Sequence, residues 1–277
     1  MAEAPLRERR YETDCGAIAY WAPRKADPAL PWLAFLPGLT ADHRLFDRQV
    51  ERFSGNANVV VWDPPSHGDS RPFELRWSLD DLAGWLRGIL EREGARRPVL
   101  VGQSMGGYVS QAFMRLFPGE ASGYVSIDSC PLDAAYYKAW ELFLLRHAKL
   151  MYLSIPWKAL RRWGAQGCAT SAYGRALMAE MMGGYNKREY CELAAHGFRV
   201  LAEAISPDRD YALQCPALLV CGTEDKAGSA KRYNREWSRR TGMPVNWVEG
   251  AGDNSNTDAP DEVNALIEGF VLSLGRA

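Results

Sequence analysis

The chain has 277 residues, a formal net charge of −1 and six cysteines. Its length fits one α/β domain with a large buried core and an insertion. The balanced charge gives no electrostatic case for nucleic acid or an anionic membrane as partner, so neither is expected. The charged N-terminus and the absence of an apolar run near 18 residues predict neither a signal sequence nor a membrane span. The scattered cysteines, without metal-ligand spacing, indicate free thiols and a cytoplasmic location.

Apolar runs and helical patterns alternate along most of the chain. The predicted strands are a hairpin over about 8–22 and then 32–37, 58–63, 98–103, 123–128, 217–222 and 244–249. Their near-continuous hydrophobicity is typical of a parallel sheet covered on both faces. Helical patterns lie near 43–53, 78–93, 104–117 and 228–241, and a last helix begins at Pro260. This order predicts a doubly wound α/β fold, in which ligands bind at the carboxyl ends of the strands.

The alternation stops between residues 131 and 210, where no strand pattern is present. We predict three or four helices inserted there after the sixth strand, so that residues 1–130 and 211–277 form the core. Aromatic residues recur in this insertion, at Trp140, Phe143, Trp157, Trp163, Tyr173, Tyr185, Tyr190 and Phe198. We interpret them first as the insertion's own core. The alternative is that some of them line an apolar substrate pocket, together with Met178, Met181 and Met182.

The segment 98–112 carries the clearest chemical motif. An apolar run leads into Gly102-Gln-Ser104-Met-Gly106, and a helical pattern follows. A serine on a sharp strand-to-helix turn has a strained backbone and an exposed hydroxyl, and small neighbours let strand and helix pass close together. The N-terminus of the following helix favours negative charge developing on that oxygen. The motif therefore predicts a nucleophilic Ser104.

With this motif the chain resembles the α/β-hydrolase family over nearly its whole length. The strand at 32–37 ends in Pro37-Gly-Leu39-Thr, where the family usually has His-Gly. The resemblance implies that the backbone amides of Leu39 and Met105 form the oxyanion hole, which does not depend on the missing histidine side chain. The segment 63–70 resembles the family's Asp-x-x-x-His-Gly-x-Ser turn, which packs beside the nucleophile.

The resemblance also implies an acid for a catalytic triad. The strand at 217–222 runs into Gly222-Thr-Glu-Asp225, where the family keeps its triad carboxylate, so Asp225 is the predicted acid. Asp128, which follows the preceding strand, is the alternative position used by some relatives.

The pattern breaks at the position of the catalytic histidine. The loop that normally carries Gly-His has Gly252-Asp253 here, and no histidine follows His196. Aspartate has a reference pKa of about 3.9 against about 6.5 for imidazole, and its side chain is shorter. Beside Asp225 one carboxyl should take up a proton, because two close carboxylates resist joint ionisation. Ser104, Asp225 and Asp253 thus keep the chain order of nucleophile, acid and base, but the base is the wrong residue type.

Four histidines remain as candidates for a substitute base. His43 is expected at the pocket rim, and His196 falls in the inserted helices, from which it could hang over the site. His67 belongs to the predicted turn, and His147 lies in the insertion. For each of the four we favour a surface or hydrogen-bonded structural role.

The sequence therefore predicts an α/β-hydrolase fold, a mostly parallel doubly wound sheet in which, by the resemblance, residues 131–210 form a helical lid. The predicted function is a carboxylesterase-like serine hydrolase for a small, largely apolar ester, acting through Ser104 and impaired at Asp253. The alternatives are a non-catalytic, receptor-like ligand-binding member, and an acyltransferase or thioesterase. No cofactor is expected, because no phosphate-cradling loop or metal cluster is visible in the sequence. An inactivating substitution and a natural paralogue both account for Asp253.

Overall fold

The computed structural model describes residues 6–275. Within them one sheet contains the strands β1 (Leu6–Thr13), β2 (Gly16–Pro23), β3 (Trp32–Leu36), β4 (Asn58–Trp62), β5 (Val99–Gln103), β6 (Gly123–Ile127), β7 (Ala217–Gly222) and β8 (Val245–Val248). Their order is β1-β2-β4-β3-β5-β6-β7-β8. The hairpin β1–β2 and the pair β2–β4 are antiparallel, and all other neighbouring strands are parallel. The predicted mostly parallel α/β sheet is confirmed.

The helices of the same segment are α1 (Asp47–Phe53), α2 (Leu79–Glu93), α3 (Met105–Leu116), α4 (Ala139–Arg146), α5 (Ala148–Ser154), α6 (Trp157–Cys168), α7 (Ala172–Gly183), α8 (Lys187–Ala204), α9 (Ala230–Thr241), α10 (Ser255–Asp258) and α11 (Pro260–Leu274). Short 3₁₀ turns occupy His43–Phe46 and Ala134–Tyr136. Helix α2 shows how local chemistry sets a boundary. Its first turn is closed by a capping box between Ser78 and Asp81, and its last by Gly94 in the left-handed region.

The strands at the centre of the sheet form the core. Every residue of β4, β5 and β6 is buried, because helices cover both faces of the sheet. This is why these strands have continuous apolar runs instead of alternating patterns. The parallel strands all present their carboxyl ends at one edge of the sheet, and that edge positions the candidate site.

The segment 131–210, predicted to be an insertion, contains five α-helices, α4 to α8, where three or four were predicted. The difference arises because the apolar pattern after residue 138 is interrupted at two positions. His147 adopts a non-helical conformation between α4 and α5, and Pro156 precedes α6 with extended backbone. Among the described residues, no helix is long and apolar enough to cross a membrane.

The aromatic residues of the insertion divide into two groups. Tyr185 and Tyr190 are buried in its core, and Met178, Met181 and Met182 are buried with them. Trp157 and Phe198 are half-buried against that core. The interpretation as core is wrong for the remaining four, since Trp140, Phe143 and Trp163 are more than half exposed and Tyr173 is also exposed. On α4 and α5 other apolar side chains already occupy the face that packs on the protein, so the aromatic ones face solvent.

Candidate active site

Ser104 stands on a strained turn between β5 and α3, with φ 47° and ψ −115°. Two glycines make this turn possible. A Cβ on Gly102 would lie 2.3 Å from the carbonyl carbon of Gly106, and one on Gly106 would lie 1.8 Å from the Leu36 oxygen. Strand and helix therefore cross at a separation that only glycine allows, and the positive φ of a serine at this point is the kind of strain found at functional sites.

The turn after β3 lies directly against this serine. A Cβ on Gly38 would come within 3.1 Å of the Cβ of Ser104. The next residue is Leu39, and Met105 begins α3, so both predicted oxyanion amides border the nucleophile. Within residues 6–275 neither amide has a hydrogen-bond partner, which leaves both available as donors. Their role in an oxyanion hole stays a prediction.

Three aspartates follow three adjacent strands at the same edge of the sheet. Asp128 comes directly after β6, Asp225 after β7 and Asp253 after β8. All three side chains are buried. Because neighbouring parallel strands are about 4.8 Å apart, their terminal loops bring the carboxylates into one electrostatic group.

Asp128 uses its carboxylate to hold the loops together. It accepts hydrogen bonds from the Gly222 amide at 2.8 Å and from Ser255, whose amide lies at 2.8 Å and whose hydroxyl lies at 2.9 Å. Burial raises the pKa of Asp128 well above its usual range, and the Asp225 charge adds to this, while the three hydrogen bonds oppose it. Asp128 thus ties the end of β7 to α10, and its alternative role as the triad acid stays a prediction.

Asp225 and Asp253 share the expected electrostatic conflict. Burial raises the pKa of Asp225 to about 6, although the Ala227 amide donates to it and Lys231 is near. Burial also raises the pKa of Asp253 well above its usual range, and the charges of Asp225 and Asp128 raise it further. The raised pKa favours the protonated form of Asp253, and a protonated carboxyl cannot act as a base for Ser104.

Gln103 connects the loop at Asp253 to the turn at Ser104, and it was not among the predicted site residues. Its Nε2 donates to the backbone oxygen of Asp253 at 2.7 Å and to Oδ1 of Asn254 at 3.1 Å. The same nitrogen is 3.5 Å from Oδ2 of Asp253. An amide at the end of an otherwise apolar strand was the available signal, because a buried polar side chain needs partners. Because Ser104 directly follows Gln103 in the chain, these bonds fix the position of residue 253 relative to Ser104.

The candidate histidines His196 and His43 hydrogen-bond to partners other than Ser104. His196 lies on α8, where its Nε2 donates to the Trp77 oxygen at 2.8 Å and its Nδ1 accepts from Arg199 at 2.8 Å. Burial lowers its pKa to about 4. His43 hydrogen-bonds through Nδ1 to Asp63 at 2.7 Å and stacks on Trp21 at 3.6 Å between ring centroids. Both side chains are therefore held by other partners.

Of the other two histidines, His67 has a structural role and His147 lies in the segment 131–210. His67 accepts the Thr40 amide at Nε2, 2.8 Å away, and donates from Nδ1 to the Pro65 oxygen at 2.9 Å. It therefore braces the turn after β3 as a neutral imidazole, and burial lowers its pKa to about 4. His147 is exposed on the insertion and contacts the Phe143 oxygen. Within residues 6–275 no side chain hydrogen-bonds to the Ser104 hydroxyl.

Two clusters in the described part of the chain bring three possible metal-ligand atoms within 4.8 Å of one another. They are Asp42, His43 and Asp63 near α1, and Asp128, Cys221 and Asp225 at the strand ends. In the first, Arg44 binds Asp42 and backbone amides bind Asp63. In the second, three donors already bind Asp128. Protein donors thus explain the carboxylates of both clusters, and we assign no metal to either.

The strained turn at Ser104, between β5 and α3 at the edge of a mostly parallel sheet, is typical of one class of proteins. The chain matches the model of the alpha/beta hydrolase family over residues 33–266, and it belongs to that family.

Individual relatives resemble most of the chain at low identity. The chain is 24% identical to the 2-(acetamidomethylene)succinate hydrolase of Mesorhizobium japonicum, over 87% of this chain and 88% of that protein. It is also 24% identical to the 2-succinyl-6-hydroxy-2,4-cyclohexadiene-1-carboxylate synthase of Serratia proteamaculans, over 88% and 94% of the two chains.

Solved structures show the same fold. The enol-lactonase of Burkholderia xenovorans superposes with a TM-score of 0.71 at 18% identity, covering 95% of this chain and all of that one. The Cif epoxide hydrolase of Acinetobacter nosocomialis gives a TM-score of 0.76 at 15% identity, covering 98% and 90%. Family, fold and relatives together support a hydrolase of the α/β fold.

Proposed function

We propose that the protein is a serine hydrolase for a small, largely apolar ester, with Ser104 as nucleophile and a proton relay interrupted at Asp253. One observation carries the proposal. Ser104 stands on a glycine-bounded elbow beside two amides without partners, while the residue at the base position is a buried carboxyl with a raised pKa.

The expected reaction is attack of the Ser104 oxygen on the ester carbonyl. Negative charge then develops on the carbonyl oxygen, where the amides of Leu39 and Met105 would stabilise it. The serine proton must leave during attack, and a protonated Asp253 cannot receive it. A site that keeps its oxyanion hole without a working triad retains roughly 10³–10⁴-fold acceleration over water. We therefore expect slow turnover by the protein as it stands.

The test is the substitution Asp253→His, which places an imidazole between Asp225 and Ser104. Hydrolysis of a short nitrophenyl ester should increase by several orders of magnitude over the parent. The matched control is the double variant Asp253→His with Ser104→Ala, which should return to the rate of Ser104→Ala alone. Circular dichroism and thermal unfolding would verify that the larger side chain is accommodated. A folded Asp253→His variant with a gain below about tenfold would refute the missing-base explanation.

A second test uses the reactivity of Ser104 itself. Fluorophosphonate probes require an activated hydroxyl, so mass spectrometry should show slow labelling of the parent and rapid labelling of Asp253→His. Rapid stoichiometric labelling of Ser104 in the parent would mean that another base activates it. The interrupted relay would then be the wrong description.

The alternative function, ligand binding without turnover, is favoured by the state of the histidines. His43, His67 and His196 are held by other partners, so the described residues offer Ser104 no substitute base. Calorimetry with a product-like carboxylic acid, beside the hydrolysis assay, separates the two functions. Binding of the acid with no hydrolysis above the Ser104→Ala background would favour a receptor-like role.

A further inference from the structure

Helices α6 and α7 pack side by side and leave an open groove of about 420 Å³ between them. Four basic residues line it, Lys158, Arg161 and Arg162 on α6 and Arg175 on α7. The other lining residues are three alanines and a glutamine, so every charged side chain in the wall is basic. The volume lies within the range of roughly 300–1,000 Å³ that is usual for small-molecule sites. We call this feature the basic groove.

Two of the four arginine and lysine side chains are anchored by the backbone of the helix pair. Arg161 reaches across from α6, and its Nη2 donates to the Ala179 oxygen on α7 at 2.9 Å. Arg175 reaches back from α7, and its Nε donates at 2.9 Å to the oxygen of Ala169, which ends α6. Each guanidinium thus uses one N–H group on the protein and keeps others for an anion. The anchoring also reduces the conformational entropy that these side chains would lose on binding a ligand.

The positive charge of the basic groove is not neutralised by the protein. Lys158, Arg161 and Arg162 are three and four residues apart, so like charges face one another on α6, which destabilises a helix. Lys158 also lies in the first turn of α6, at the positive end of the helix dipole. None of the four basic residues forms an ion pair within residues 6–275, and the buried Nε of Arg161 has no hydrogen-bond partner there. A bound anion would relieve this repulsion.

The acidic residues of the neighbouring segments have partners of their own. Residues 142–179 contain no acidic residue, and Glu180 pairs with Arg44. Asp258 accepts the amide of Ser171, at the beginning of α7, together with two further backbone amides. Helix α8 carries three glutamates but packs mainly on α4 and α5. The charge of the basic groove is therefore available to a ligand.

We propose that the basic groove binds a small anion with two or more linked phosphate groups. A guanidinium donates in a fork that matches two phosphate oxygens, and a lysine adds a point charge. Four cationic side chains in one groove match an anion of several charges better than a single phosphate or a monocarboxylate. The basic groove includes no residue of the site at Ser104, so the proposal goes beyond ester hydrolysis and is independent of it.

The extent of the positive charge favours a small ligand over a nucleic acid. The lining residues of α6 extend from 158 to 166, which is about 12 Å of helix at 1.5 Å per residue. A nucleic acid is neutralised by basic residues distributed along its backbone, and the rest of this chain does not continue the positive surface, since its net charge is −1. A compact polyanion matches both the size and the charge of the groove.

The experiment is isothermal titration calorimetry with sodium tripolyphosphate, orthophosphate and citrate at low ionic strength. Tripolyphosphate should bind to one site per chain about tenfold or more tightly than the other two anions, and added salt should weaken its binding. Adenosine triphosphate has the same linked phosphates and should also bind, and the tighter of the two ligands indicates whether the source is a nucleotide. The variant Lys158→Gln with Arg162→Gln changes two exposed side chains and should lose about tenfold or more in affinity.

The matched control is Arg96→Gln with Arg97→Gln, at two exposed arginines that also form no ion pair within residues 6–275. It removes the same charge from the molecule and should bind tripolyphosphate like the parent, as should Ser104→Ala. Absence of binding, or equal weakening by the control, would overturn the proposal. So would binding that Lys158→Gln with Arg162→Gln leaves intact, or tighter binding of a DNA duplex that this variant abolishes.

Discussion

The substitution Asp253→Asn should stabilise the protein at neutral pH by an amount that grows with pH. Burial raises the pKa of Asp253 well above its ordinary 3.8, so the folded protein keeps a proton that the unfolded chain releases. The folded state therefore binds more protons, and the contribution of Asp253 to stability is greatest below about pH 4 and is lost as the pH rises. Asparagine has nearly the shape of the protonated carboxyl and involves no proton.

The magnitude follows from linkage. Each pH unit between the two pKa values of Asp253 costs the parent about 1.4 kcal/mol. The free energy of unfolding of Asp253→Asn, relative to the parent, should therefore rise by about 1.4 kcal/mol per pH unit above about pH 4. For a domain of this size this corresponds to roughly 2–5 °C in melting temperature per unit. This difference in the free energy of unfolding stops increasing above the pH at which Asp253 ionises in the folded protein.

The assay is urea or thermal unfolding of both proteins at pH 5, 6, 7 and 8. Comparing the two proteins cancels the contributions of His67 and His196, which act in the opposite direction and are the same in both proteins. Asp261→Asn, at an exposed residue, is the control and should give a constant difference across the series. A constant difference for Asp253→Asn as well would show that position 253 is ionised or reached by water, and would refute the protonated-carboxyl argument.

Two further predictions concern the scaffold around Ser104. Gly106→Ala should cost about 3 kcal/mol or more, because its Cβ would overlap the Leu36 oxygen at 1.8 Å. Gly84→Ala on α2, where nothing lies within 4 Å of the added Cβ, should stabilise the protein by about 0.5–1 kcal/mol in the same urea titrations. Equal effects of the two substitutions would contradict the argument that only glycine fits where the chain segments cross at Gly106. His67 has a pKa lowered from 6.5 to about 4, so the folded state binds fewer protons and stability falls as the pH drops through this window. Between pH 6.5 and 4 the free energy of unfolding of the parent should fall by about 3 kcal/mol more than that of a His67→Gln variant. Equal acid sensitivity of the two proteins would contradict the neutral state of His67 in the folded protein.

Local signals were sufficient for much of the fold. The strands occur within about two residues of their predicted positions, because fully buried parallel strands require continuous apolar runs. The capping box between Ser78 and Asp81 is also a local feature, since both partners lie within four residues of each other. Gly102 and Gly106 indicated the sharp turn at Ser104 because they lie within two residues of it in the sequence.

Features that depend on distant partners were not predictable. The bonds of Asp128 to Gly222 and Ser255 join residues 94 and 127 positions apart, and those of Gln103 to the loop at 253 span 150 and 151 positions. The exposure of Trp140 and Phe143 was missed because both sides of α4 are apolar. Hydrophobicity alone cannot decide which side packs when either would be suitable.

The arrangement of aspartates after β6, β7 and β8 also has a consequence for mutational history. Codons for histidine and aspartate differ only in their first base, so position 253 is a single nucleotide change from an imidazole. The surrounding loop needs no second change to present that residue, because Gln103 holds it through backbone oxygen 253 and through Asn254. The side chain at 253 can thus be exchanged while these anchoring bonds stay in place, and gain or loss of an imidazole there takes one nucleotide change.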